Sequence, residues 1–217
     1  MSTMVKITVD NQEIEVEEGT TVLMACLKNG IYVPNLCFVE SMIDPPASCR
    51  MCFVEIEGEK GPVTSCTITV REGMVIRTET ASVRRLQRTA LRLLLSVHEV
   101  ECAACPANKK CELQRLAKFL KVGLKPKGFE WFLKEAKGDD EHPFLDYHPN
   151  RCIVCGKCVY VCQTMHERPF LTFAKRGFDT TISSFGEKDA TKFPCTECMA
   201  CVEICPVAAL AVKNNSK

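Results

Sequence analysis

The sequence contains no run approaching the roughly 20 apolar residues that a membrane span needs. Its first stretch, MSTMVKITVDNQEIEVEEG, has no apolar signal core and carries acidic residues early. These two absences point to a cytoplasmic chain. There is no charge of one sign to speak of, because 28 Lys and Arg balance 27 Asp and Glu. Arg84, Arg85, Arg88 and Arg92 form a stripe without interleaved aromatics, so nucleic-acid binding is not expected and a solvated or partner-facing side is. No G-x-G-x-x-G and no P-loop occur, so no nucleotide site is expected. Aromatic residues make up only 7%, with a single tryptophan, Trp131.

What is abundant is cysteine, at 16 of 217 residues. In a reducing compartment, clustered cysteines bind metal or do redox chemistry more often than they form disulfides. The run Cys152-x2-Cys155-x2-Cys158-x3-Cys162 returns as Cys195-x2-Cys198-x2-Cys201-x3-Cys205, starting 43 residues later. In two-cluster ferredoxins the fourth cysteine of each run binds the other cluster. That rule assigns Cys152, Cys155, Cys158 and Cys205 to one 4Fe–4S cluster. It assigns Cys195, Cys198, Cys201 and Cys162 to a second. Pro206 completes the usual C-P ending, whereas Gln163 follows Cys162. Gly156 suits a close backbone approach. Two structural zinc ions are the alternative for these eight thiolates.

Cys37, Cys49, Cys52 and Cys66 form a third set, with two ligands on one loop and one on either side, as a 2Fe–2S cluster requires. A fourth set, His98, Cys102, Cys105 and Cys111, read alone also suits Cys3His zinc. Only Cys26 is left over. It lies among Val22, Leu23 and Leu27 and is expected as a small buried apolar residue. His142, His148 and His166 fall outside every set and are expected to be ordinary residues.

Alternation predicts strands at Val5–Val9 and Glu13–Glu18, with a turn at Asp10-Asn11-Gln12. A short helix capped by Thr20 or Thr21 should end near Gly30. Further strands are expected at Cys52–Glu57, Val63–Val70 and Met74–Thr78. A helix capped by Ser82 should run to Val97, and a second from Cys111 to Val122. The resulting division is 1–78, 79–123, a connector at 124–144 containing Pro126 and Gly138, and 145–217 ending in a frayed NNSK tail.

The four sets in this order resemble the N-terminal iron–sulfur part of the large (75 kDa type) subunit of respiratory complex I. The chain ends at Lys217, and in this it resembles the small iron–sulfur subunit on the diaphorase side of NAD-reducing bidirectional hydrogenases. The resemblance implies an α+β chain: a β-grasp 2Fe–2S ferredoxin-like domain, a small helical His/Cys3 cluster domain and a two-cluster 4Fe–4S ferredoxin domain. It implies that His98 ligates a 4Fe–4S cluster, giving one 2Fe–2S and three 4Fe–4S clusters in total. It further implies a relay of single electrons, in a hetero-oligomer, between a flavin/NAD(P)-binding diaphorase subunit and hydrogenase small and large subunits. FMN and NAD(P) would sit on a partner, and this chain would have no substrate-converting site of its own. The same module in a formate dehydrogenase or a bifurcating complex, a free multi-cluster carrier, and a zinc-stabilised assembly protein are the other readings.

Overall fold

A computed structural model describes residues 3–125, 127–128, 130–135, 142–166, 170–184 and 195–213. Pro126, Gly138 with the charged middle of the connector, part of the stretch between the two cysteine runs and the NNSK tail lie outside the described residues. The chain forms two compact units, Met1–Arg92 with Leu120–Val122, and Leu93–Phe119 with Gly123–Lys217.

In the first unit, β1 (Met4–Val9) and β2 (Gln12–Glu17) pair antiparallel. Asp10 and Asn11 make the turn at φ 48° and 70°, a conformation short polar side chains tolerate. Alternation puts Val5, Ile7, Val9, Ile14 and Val16 inside. Helix α1 (Val22–Lys28) follows, with the Thr21 hydroxyl accepting the Met24 N–H at 3.3 Å. Strands β3 (Phe53–Ile56), β4 (Val63–Thr64) and β5 (Val75–Arg77) complete a sheet of order β2-β1-β5-β3-β4. Only β1 and β5 run parallel among its pairs. One helix against such a mixed sheet is the β-grasp arrangement. Cys26 is fully buried in its core.

The strand expected at Val63–Val70 stops after two residues. The Ser65 N–H and hydroxyl both donate to the Cys52 carbonyl, at 3.0 and 2.8 Å, and the Thr67 N–H turns back to the Thr64 carbonyl. The turn carries Cys66 beside Cys52 instead of extending the ladder.

Helix α2 (Ala81–Ser96) is capped by Thr80, whose hydroxyl accepts the Val83 N–H, and not by Ser82. Gln87 is fully buried on it, donating to the Phe53 carbonyl at 3.1 Å and accepting from Arg84. Arg84 also pairs with Glu79, and Arg88 donates to the Leu120 carbonyl at 3.0 Å. Two of the four arginines thus serve local structure and are not merely wet.

Among its described residues, the second unit has little regular structure. A 3-10 turn (Cys102–Ala104) precedes α3 (Glu112–Leu120). Strand β6 (Leu145–Tyr147) pairs antiparallel with β9 (Leu210–Val212). Between them come α4 (Lys157–Met165), the hairpin β7 (Leu171–Ala174) and β8 (Thr181–Ser184), and the short helices α5 (Cys195–Cys198) and α6 (Ala200–Glu203). Around the connector, Lys134 N–H donates to the Asn150 side chain at 2.7 Å, and Asn150 returns a bond to the Lys134 carbonyl at 3.1 Å.

Candidate metal centres

Cys37, Cys49, Cys52 and Cys66 are all buried. Cys37 and Cys49 face each other at 3.4 Å between sulfurs, and the Cys66 thiol lies close enough to Cys52 to lower its pKa. Two thiolates on one tetrahedral metal with bonds of about 2.3 Å lie about 3.8 Å apart. Two such pairs suit a two-metal diamond with two thiolates on each iron.

His98 lies just beyond α2 and is buried. Its Nδ1 lies 2.9 Å from the Arg151 carbonyl. A carbonyl only accepts, so Nδ1 carries the proton and Nε2 keeps its lone pair for a metal. Burial lowers the pKa of His98, which keeps the ring neutral. Cys102 and Cys105 are joined by a tight turn, Cys105 N–H to Cys102 carbonyl at 3.2 Å. Cys111 opens α3, where the backbone N–H groups of Leu113 and Gln114 face its sulfur.

Two cavities hold the remaining eight cysteines. One is lined by Cys152, Cys155, Cys158 and Cys205. The other is lined by Cys162, Cys195, Cys198 and Cys201. Each cavity therefore gathers three cysteines of one run and the fourth of the other. Phe170 N–H donates to Cys162 and Ala209 N–H to Cys205, each at 3.2 Å, and Val154 N–H to Cys152 at 3.4 Å. Backbone donors of this kind stabilise a charged sulfur. Among the described residues, no three His, Cys, Asp or Glu side chains converge tightly enough for a single ion.

The loops at these sites are strained. Arg50, Val154 and Met199 hold φ of 53°, 53° and 41° beside their cysteines. For a β-branched residue such as Val154 this is a marked outlier. Gly156 takes φ 79°, and a Cβ there would come within 3.2 Å of the Phe173 ring. The constraint on Gly156 is thus backbone conformation and a neighbouring ring.

Sequence spacing gave no hint of several residues that face the sulfurs. His142, expected as ordinary, is buried with its Nε2 3.7 Å from Cys195. Tyr147 and Ile182 line the Cys152 cavity, and His166 lines the Cys195 cavity. Single residues without a repeat carry no spacing signal. His148 pairs with Asp146 at 3.4 Å.

Comparison with known proteins follows the same order along the chain. A 2Fe-2S iron-sulfur cluster binding domain matches residues 2–81. An NADH-ubiquinone oxidoreductase-G iron-sulfur binding region matches 87–124, and an NADH-quinone oxidoreductase subunit 3 ferredoxin-like domain matches 142–211. A crystal structure of an NAD+-reducing [NiFe]-hydrogenase contains a chain that superposes with a TM-score of 0.84 at 30% identity, covering 97% of this chain and 88% of that one. The chain belongs to this iron–sulfur subunit family.

Curated members of the family include a subunit of an NADH-quinone oxidoreductase of Rhizobium meliloti (strain 1021), 35% identical over 95% of this chain. A subunit of the NADP-reducing hydrogenase of Solidesulfovibrio fructosivorans is 33% identical, also over 95%. The chain spans only 24% and 36% of the length of these two relatives. As a family member it carries 2Fe–2S and 4Fe–4S binding domains in sequence.

Burial favours the protonated form of several of these thiols. Burial pushes Cys155 and Cys201 up to about 12 and Cys195 to about 11. In the N-terminal set, the bond from Cys49 pulls Cys37 down to about 5 while Cys49 itself is pushed up. Cys52 falls to about 7 through its bond with Cys66, which is pushed up in turn. Each of these pairs thus shares a proton that a metal must displace.

Proposed function

We propose that this chain is the electron-relay subunit of an NAD(P)-linked oxidoreductase whose catalytic end is a hydrogenase. Bound clusters would supply one-electron steps between a two-electron carrier and a catalytic metal. The observation that carries the reading is the exchange of fourth cysteines, Cys162 and Cys205, between the two C-terminal cavities.

In this reading Cys37, Cys49, Cys52 and Cys66 hold one 2Fe–2S cluster. His98, Cys102, Cys105 and Cys111 hold a 4Fe–4S cluster. Cys152, Cys155, Cys158 and Cys205 hold a second, and Cys162, Cys195, Cys198 and Cys201 a third. The proton on His98 Nδ1, fixed by the Arg151 carbonyl, supports ligation through Nε2. The chain's own residues grip iron, exclude water and aim N–H groups at sulfur. The segments 1–78, 79–123 and 145–217 are the three cluster-bearing parts, joined at 124–144.

Substrate conversion belongs to partners: a flavin/NAD(P)-binding diaphorase subunit at one end, and hydrogenase small and large subunits at the other. The hydrogenase named among the similar structures supports that pairing over other catalytic ends. No helix among the described residues is long and apolar enough to cross a membrane, which is compatible with a cytoplasmic hetero-oligomer.

The test is anaerobic purification with metal, sulfide and partner analysis. About 14 iron atoms per chain are expected on these ligation rules, with matching acid-labile sulfide. A flavoprotein and a nickel–iron protein should co-purify. Zinc without sulfide overturns the relay, and a molybdenum protein in place of the nickel–iron one overturns the hydrogenase assignment. A lone monomer that reduces many acceptors overturns the fixed-subunit reading.

A further inference from the structure

Two side chains that are not ligands in any of the four sets reach the first cysteine of each C-terminal run. Both come from residues 142–147, around β6. His142 Nδ1 accepts the N–H groups of Phe144 and Leu145 at 3.2 and 3.1 Å. An imidazole nitrogen that accepts backbone N–H groups is unprotonated, so in the neutral ring Nε2 carries the hydrogen. That Nε2 lies 3.7 Å from Cys195 Sγ, within reach for a bond to sulfur. The ring is 4% exposed.

Tyr147 repeats the device with an O–H. Its oxygen accepts the Ile182 N–H at 3.2 Å and the Thr181 hydroxyl at 3.1 Å. With its oxygen facing two donors, the phenol's own hydrogen is left for Cys152, which lines the same cavity and whose thiol pKa the Tyr147 side chain lowers. The two anchors come from different places: the turn before β6 holds His142, and β8 holds Tyr147. Pairing of Leu145 with Val212 and Tyr147 with Leu210 fixes β6 in register.

We propose that His142 and Tyr147 are potential-setting residues, each donating one hydrogen bond to a thiolate of a different 4Fe–4S cluster. The proposal rests on the ligand assignment given above. Its physics is simple. Reduction adds negative charge that spreads onto the thiolates. A fixed donor in a site shielded from water stabilises that charge more in the reduced than in the oxidised form. Hydrogen bonds to the sulfurs are among the factors that set such potentials. Because each donor serves one cavity, one short segment adjusts two clusters separately. Neither residue touches a substrate, so both are positioning residues.

The test is an anaerobic redox titration followed by paramagnetic resonance on the intact complex, comparing wild type, Tyr147→Phe and His142→Phe. Iron and sulfide in the wild type are measured first, and their absence sinks the ligand assignment before any variant is read. At wild-type iron content, each variant should move a different signal to lower potential. The expected size is about a tenfold drop in the reduced-to-oxidised ratio at fixed potential, which is about 59 mV for one electron. Unchanged midpoints at full iron content overturn the proposal. If His142→Phe loses iron, His142→Gln is read in its place, since its amide can still donate. A shift smaller than that of Tyr147→Phe supports the donor role. No recovery of iron, together with an unshifted Tyr147→Phe, overturns it.

Discussion

The first unit folds around Val5, Ile7, Val9, Leu23, Val54 and Ile76, all buried between one helix and a five-stranded sheet. The second unit is larger in sequence, but among the described residues it has only two-stranded sheets and short helices, and eight of its cysteines line two cavities. Apolar burial at about 25 cal/mol per Å² can hold the first unit together unaided. The second also buries Leu95, Leu113, Leu116, Leu145, Leu171 and Leu210, and on the proposed ligation metal bonds would add to that burial, as in small metal-dependent domains. On that reading the two halves of one short chain draw on different sources of stability. The strained cysteine loops are shared by both halves: Arg50 and Val154 each hold φ 53°, backbone that persists only where something over-determines it.

The largest effect should come from stripping iron with a chelator under reducing conditions. Hydrogen exchange should then show residues 145–212 losing protection while 4–17, 53–56 and 75–77 keep it. Loss of both regions together would break the comparison. Next, Cys205→Ala should lose about four to eight of the 14 expected irons, since one cluster loses a ligand and the segment that carries Cys205 also supplies Cys195, Cys198 and Cys201 to the other. The 2Fe–2S resonance should persist at full intensity, and its disappearance would mean the halves are not independent.

His98→Cys should keep its cluster and lower its potential, because a thiolate adds a negative charge that an imidazole does not. An unchanged spectrum removes His98 from the ligand set. Gln87→Leu probes the first unit alone. It leaves the Phe53 carbonyl buried without its partner, at a cost of about 1–3 kcal/mol. Denaturant unfolding of the iron-loaded protein measures it, and cluster spectra should not move.

The last effect concerns Cys26. Burial raises its thiol from 9.0 to about 12. The folded state therefore favours the protonated form. The stabilisation is fully present below pH 9 and is lost as pH rises from 9 towards 12, by about 1.4 kcal/mol per unit. Urea midpoints across pH 8–10.5 should fall less steeply for Cys26→Val. Alkylation of Cys26 at pH 8 in the folded protein would contradict its burial.

Much of this was legible in residue order. The β1–β2 hairpin, the Thr21 cap and the burial of Cys26 follow from alternation and capping chemistry alone. The exchange of Cys162 and Cys205 follows from the repeated spacing, and the structure places these residues in the corresponding cavities. What the sequence hid were contacts with no periodicity. The two-residue β4 arises because Ser65 bonds Cys52, a partner 13 positions away. Thr80 caps α2 in preference to Ser82, a choice between neighbours that propensity alone does not make. His142 and Tyr147 matter through what faces their second polar position, and that depends on segments far along the chain.

The swapped fourth donors also bear on how the protein is made. Cys152, Cys155 and Cys158 leave the ribosome well ahead of Cys205, and Cys162 waits likewise for the second run. A nascent chain that has reached only Ser184 offers one cage three of its donors and the other a single one. On the proposed ligation the second cage is whole only once Cys201 has emerged and the first only once Cys205 has, so the two are completed almost together.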